Sequence, residues 1–214
     1  MKENSTSVFE KIERVGILPV VCPEDGFQLD VLLDAVRDTE VKVLEITLRN
    51  GFSTNAIKYI KENLPELSVG AGTVNTPSKL KEALSCGPDF LVAPGIAEFA
   101  LDPQATKGIP FVHGVSTPSE ILKLINLGHD VMKFFPAECS GGVNALKLYS
   151  GAFSGVKFLP TGGITADNLG EYLSCSNVLG CGGSFMVPKN LLAGGKSEEI
   201  NALIKKLCRK EEKR

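Results

Sequence analysis

Eight times along the chain a short β-branched or apolar run gives way to a stretch with helical apolar spacing. The runs lie at 16–21, 41–48, 67–73, 90–94, 109–113, 130–135, 156–160 and 178–181. The stretches between them include Leu29, Leu32, Leu33 and Val36, then Ala56, Ile57, Ile60 and Leu64. The last carries Ile200, Leu203, Ile204 and Leu207, the i, i+3, i+4, i+7 stripe of an amphipathic helix. A further short helix is expected over 6–14, ahead of the first run. Regular alternation without a linker or a break in composition predicts one closed (β/α)8 TIM barrel over residues 1–214, of the α/β class. An open doubly wound sheet is the competing architecture. The first strand-to-helix turn, Val-Cys-Pro-Glu-Asp-Gly at 21–26, lacks the GxGxxG loop that such a sheet uses for dinucleotides.

Composition narrows the function classes. A formal net charge of −2 offers no basic surface for nucleic acid or anionic lipid. The charged run from Lys205 to Arg214 reads as a solvated last helical turn and tail. No stretch of 18 apolar residues occurs, and the first seven residues are polar with no apolar region behind them. These features predict a soluble, cytoplasmic protein with no membrane partner. The six cysteines lack CxxC spacing, so neither a zinc site nor a disulfide framework is expected. Two histidines, His113 and His129, are too few for a His-rich metal centre.

Lys133 sits where a lysine is costly, inside the apolar segment His129-Asp-Val-Met-Lys-Phe-Phe-Pro136. A buried ammonium costs several kcal/mol unless it is paired or loses its proton, and the neutral amine is a nucleophile toward carbonyl carbon. A lysine snorkelling to water from a strand end is the plainer alternative. In a barrel, active sites form at the C-terminal strand ends, and side-chain alternation decides what faces them. On the second run Val41, Val43, Glu45, Thr47 and Arg49 share the less apolar face, read as inward. Val69, Ala71 and Thr73 share a face of the third run, leaving a hydroxyl at the rim. Val131, Lys133 and Phe135 share one on the sixth. Arginine suits bidentate capture of a carboxylate, lysine suits imine formation with a ketone, and a buried glutamate can move protons. A 2-oxo acid offers the carboxylate and ketone on adjacent carbons. A structural Glu/Arg ion pair is the alternative reading of Glu45 and Arg49.

The seventh and eighth runs end in Leu159-Pro-Thr-Gly-Gly-Ile164 and Gly180-Cys-Gly-Gly-Ser-Phe185. Gly162 with Gly163, and Gly182 with Gly183, let backbone N–H groups close on an anion, and Ser184 adds a hydroxyl. Barrels frequently bind phosphate at these two ends. Tight βα turns alone would also call for glycine.

These residues carry a resemblance to the 2-keto-3-deoxy-6-phosphogluconate (KDPG) and 4-hydroxy-2-oxoglutarate aldolases, a family of class I, Schiff-base enzymes. The matching segments are Leu44-Glu-Ile-Thr-Leu-Arg49, Val69-Gly-Ala-Gly-Thr-Val74, Val92-Ala-Pro-Gly95, Gly114-Val-Ser-Thr117, Met132-Lys-Phe-Phe-Pro-Ala-Glu138, Pro160-Thr-Gly-Gly-Ile164 and Gly182-Gly-Ser184. They run in family order over nearly the whole chain. The resemblance implies a (β/α)8 barrel, a homotrimer, and no metal or organic cofactor. It makes Lys133 the imine-forming residue and Glu45 the acid/base. Arg49 and Thr73 would hold the pyruvate carboxylate. Gly162, Gly163 and Ser184 would take a distal phosphate with Thr161 beside them, while Pro94 and Phe135 shape the pocket. The implied activity is cleavage of 2-keto-3-deoxy-6-phosphogluconate to pyruvate and glyceraldehyde 3-phosphate, as in the Entner–Doudoroff pathway. Aldolases for the galactonate epimer or for 4-hydroxy-2-oxoglutarate share the same chemistry. A non-catalytic phosphate-binding barrel and a metal-dependent aldolase are the readings from other classes. His113 and Phe185 depart from the family pattern, which often has proline and tryptophan there, and both are expected near the mouth.

Overall fold

The computed structural model describes residues 7–209. Parallel strands β1 (Ile17–Val21), β2 (Val43–Thr47), β3 (Ser68–Gly72) and β4 (Phe90–Val92) run side by side in chain order. The fifth stave is interrupted at His113 into β5 (Phe111–Val112) and β6 (Gly114–Val115). β5 pairs with β4, and β6 pairs with β7 (Val131–Phe134), which pairs with β8 (Lys157–Pro160). β9 (Cys181–Gly183) pairs with β1 and meets β8 through bridges Phe158 to Val178 and Thr161 to Gly182. Counting β5 and β6 as one stave, eight staves close into a barrel.

The helices are α1 (Val8–Val15), α2 (Gly26–Arg37), α3 (Ser53–Asn63), α4 (Pro77–Leu84), α5 (Pro118–Asn126), α6 (Gly142–Ala152), α7 (Leu169–Leu173), α8 (Lys189–Ala193) and α9 (Ser197–Leu207). Local chemistry sets several starts: Thr117 and Glu120 form a capping box ahead of Pro118, and Thr76 caps α4 ahead of Pro77. The expectation of a helix after every strand fails once. Between β4 and β5 only a 3-10 turn forms, Glu98–Ala100, because the segment carries no sustained apolar stripe. The fifth and eighth runs also lie further along the chain than predicted. β9 in particular is glycine-rich, so no side-chain pattern announces it. The run Lys205–Arg214 divides, with α9 ending at Leu207 and residues 210–214 outside the described residues.

Two apolar layers hold this frame. Leu44, Ile46, Leu91, Met132, Phe134 and Phe158 belong to the large cluster between strands and helices. Inside the barrel, Leu18, Val43, Phe90, Val92, Val112, Leu159 and Leu179 pack with Ile12 of α1. α1 leads into the N-terminal end of β1, so Ile12 stops the barrel at its base. Along β2 the inward series is Val43, Glu45, Thr47, apolar at the base and polar toward the mouth, all buried. The strand positions a charged layer directly above the greasy one.

Candidate active site

Lys133 and Glu45 form that charged layer. Lys133 Nζ lies 3.8 Å from Glu45 Oε1, with both residues buried at 7% and 2% exposure. Their adjacency follows from alternation on β7 and β2 across the interior. Glu45 Oε1 is buried and makes no hydrogen bond to another described residue. A dry acceptor without a partner is uncommon, and here it faces the only kind of group that compensates it, a cation or a bound molecule able to share a proton. Glu45 has room because Gly72 lies against it. Lys133 Nζ also stands 5.3 Å from the centroid of the Phe135 ring.

Arg49 and Thr73 meet at the mouth, where Arg49 Nε donates to Thr73 Oγ1 at 3.2 Å. Thr73 gets there by a route that alternation does not describe. Val69 and Ala71 belong to the helix-side layer, and the inward positions on β3 are Gly70 and Gly72. Continued alternation would send Thr73 outward. Its φ of +64° instead turns the chain, a conformation that costs a β-branched residue about 1–3 kcal/mol. The shared-face expectation for Val69, Ala71 and Thr73 is therefore corrected, although the hydroxyl still reaches the rim.

A cavity of about 720 Å³ opens above this layer, with Thr47, Arg49 and Phe135 on one side and Thr161, Gly162, Gly163, Gly182, Gly183 and Ser184 on another. Lys133 and Glu45 lie one residue layer deeper, beneath Phe135 and Thr47. Gly162 and Gly163 have φ of +97° and +83°, open to glycine and strained for other residues. Their carbonyls are tied back, Gly162 to the Glu138 N–H at 3.1 Å and Gly163 to Asn168 Nδ2 at 3.2 Å. The N–H groups of Gly163 and Ser184 donate to no other described residue. Amides left free in a cavity wall suit an anion. Gly182 and Gly183 differ from expectation in lying within β9, paired with Leu18 and Pro19. A Cβ on Gly182 would stand 2.6 Å from Thr161 Oγ1, so its bareness serves strand packing. Pro94 follows β4, and its backbone turns in where Gly114 offers no side chain.

Phe185 lines the cavity as expected, but His113 does not. His113 faces outward in the helix-side layer, fully buried, stacked 4.4 Å from Phe111 and edge-on to His129 at 4.9 Å. Its Nδ1 accepts the Ala97 N–H at 3.2 Å, so it supports the loop after β4. Burial, with His129 adding to it, lowers its pKa to about 4 and keeps it neutral. Two features escaped the sequence reading. Lys189, Glu24 and Gln28 also line the cavity. Asn50 joins the loops after β1 and β2, donating to Pro23 O at 2.9 Å and accepting from the N–H groups of Phe52 and Ser53. Asparagine just before a helix is an Asx-turn signal that could have exposed this role. Among the described residues no cluster of three or more His, Cys, Asp or Glu forms a candidate metal site, and no helix is long and apolar enough to cross a membrane.

The model of the family described as KDPG and KHG aldolase matches residues 8–203. The chain belongs to this family. It is 37% identical to the 2-dehydro-3-deoxy-phosphogluconate aldolase of Dickeya dadantii (strain 3937) over 95% of each chain. It is 38% identical to the KHG/KDPG aldolase of Escherichia coli (strain K12), again over 95% of each. Among solved structures it resembles the KDPG aldolase of Legionella pneumophila with pyruvate captured as a covalent carbinolamine intermediate. The TM-score is 0.89 at 32% identity, covering 94% of this chain and 98% of that one. The KDPG aldolase of Zymomonas mobilis ZM4 with 3-phosphoglycerate gives a TM-score of 0.83 at 33% identity, covering 95% and 96%. The aldolase family and its barrel agree with the expectation from sequence.

Proposed function

We propose that this chain is a class I aldolase that cleaves 2-keto-3-deoxy-6-phosphogluconate to pyruvate and glyceraldehyde 3-phosphate. The observation that carries the reading is Lys133, buried inside the barrel with its amine 3.8 Å from the unbonded oxygen of Glu45. The free amine of Lys133 attacks the C2 ketone, and the carbonyl electrons move to oxygen. Glu45 supplies the proton that lets the carbinolamine leave as an iminium and water. It then takes the C4 hydroxyl proton as the C3–C4 bond breaks, with that electron pair held in the enamine. The aldehyde leaves first; protonation at C3 and hydrolysis return Lys133 and release pyruvate. Arg49, with Thr73 beside it, holds the carboxylate and so fixes C2 against the amine.

The phosphate belongs at the wall formed by Thr161, Gly162, Gly163 and Ser184, with Gly182 and Gly183 keeping it clear of side chains. Pro94 and Phe135 shape the passage to Lys133. The free amides of that wall favour KDPG over 4-hydroxy-2-oxoglutarate, whose distal end carries no phosphate. The E. coli relative's name carries both substrates, so the unphosphorylated acid is the second reading. A cofactor-free, cytoplasmic homotrimer completes the proposal, and analytical ultracentrifugation tests its stoichiometry. The chemistry is tested by incubating the protein with pyruvate and borohydride. A permanent adduct on the Lys133 peptide is expected; recovery of unmodified Lys133 would end the Schiff-base reading and favour a non-catalytic phosphate-binding barrel.

A further inference from the structure

Beyond the last residues of β7 and β8 the two segments stay side by side. The Ala137 N–H donates to the Thr161 carbonyl at 2.9 Å, and the Glu138 N–H to the Gly162 carbonyl at 3.1 Å. The Glu138 side chain then backs the next residue: a Cβ on Gly163 would overlap Glu138 Cγ and stand 2.6 Å from its Cβ. Glycines at positive φ have broad freedom, so the pose of this loop depends on what lies against it. Glu138 in turn is held at its far end, where Oε1 accepts a hydrogen bond from the Tyr172 hydroxyl. Tyr172 lies on α7 and is fully buried. Burial, followed by the bond to Glu138, pushes its phenol well above the usual range, so it remains a donor at every working pH. Gly142, at the start of α6, lies close to both: a Cβ there would stand 3.3 Å from Glu138 Oε1 and from the Tyr172 oxygen.

We propose that Tyr172 and Glu138 are a positioning pair that sets the pose of the Gly162–Gly163 loop, and through it the preference of this site for substrates with a terminal phosphate. The inference rests on the phosphate reading above. Two effects combine. The carbon chain of Glu138 is a rigid backing for a loop whose amides must converge on one anion. The bond to Tyr172 also turns a carboxylate away from that anion and draws off part of its charge, where a freely swinging carboxylate would repel a phosphate dianion. Neither residue touches the substrate.

The test compares kcat and KM for KDPG and for unphosphorylated 4-hydroxy-2-oxoglutarate in Tyr172→Phe, Glu138→Ala and Glu138→Gln, with Ser184→Ala as a control. Tyr172→Phe is expected to raise KM for KDPG about tenfold, the effect of one modest hydrogen bond, with kcat nearly unchanged. Its kinetics on the unphosphorylated acid should stay within about twofold of the parent. Glu138→Ala should behave like Tyr172→Phe, whereas Glu138→Gln keeps the carbon chain and an acceptor and should restore parental kinetics. Glu138 is exposed, so its variants report even where Tyr172→Phe fails to fold. With Ser184→Ala selective for KDPG, an unchanged KM in Glu138→Ala, or an equal loss on both substrates, overturns the positioning role. A Ser184→Ala variant without selectivity overturns the phosphate reading itself, and the inference with it.

Discussion

A Cβ on Gly72 would overlap Oε1 of Glu45 and stand 2.7 Å from its carboxyl carbon. The bare backbone of β3 is what lets the Glu45 side chain lie across the barrel toward Lys133. Gly72→Ala should therefore displace the carboxylate, lowering turnover at least about tenfold and stability by about 1–3 kcal/mol from overpacking. Steady-state kinetics and denaturant unfolding check both, and a variant with parental turnover would show that Glu45 does not need this space.

Lys133→Ala should abolish turnover and borohydride trapping while the far-UV circular dichroism spectrum persists. Glu45 would remain buried without its partner, so stability should fall by about 3 kcal/mol. Retained turnover would remove Lys133 as the nucleophile.

Glu45→Gln preserves shape and removes the acid/base, which typically costs ~10²–10⁴-fold in rate. Slow trapping of pyruvate should survive because Lys133 is intact. Parental rates would reduce Glu45 to an ion-pair partner.

Arg49 and Ser184 should separate by substrate end. Arg49→Ala is expected to weaken pyruvate, KDPG and 4-hydroxy-2-oxoglutarate alike, since all carry the same carboxylate. Ser184→Ala should weaken KDPG alone. Losses that follow the phosphate in Arg49→Ala would reverse the assigned orientation of the substrate.

His113 predicts a pH dependence of stability. Its folded pKa, about 4, lies below the unfolded value near 6.5. Between those values the unfolded chain binds a proton that the folded one refuses, so stability is full above about pH 6.5 and falls toward pH 4. The loss approaches about 3 kcal/mol at most, from about 1.4 kcal/mol per unit. His129, also lowered by burial, adds a contribution of the same sign. Urea unfolding of the parent and His113→Gln between pH 4 and 7 checks it; identical slopes would assign the pH dependence elsewhere.

The barrel was legible because each unit is local: alternation at one period and then another, repeated eight times, needs no knowledge of neighbours. The missing helix after β4 and the displaced β9 mark where that logic stops. Residues 94–108 have no stripe to read, and Cys181–Gly183 have almost no side chains, so their strand is defined by its pairing with β1 and its bridge to Thr161. Lys133, Glu45 and Arg49 were visible as polar residues on inward faces. Their convergence depends on closure, which a linear pattern can only imply.

The sequence by itself determined the family, the order of the staves and the chemical kinds of side chain at their ends. Periodicity and short motifs are properties of the chain taken a few residues at a time. Only the tertiary structure decided that Thr73 reaches the mouth through a positive φ, that His113 faces away from it, and that Glu138 backs Gly163 while bonded to Tyr172. Each of these depends on a backbone angle or on partners up to 34 residues away, and strand alternation encodes neither.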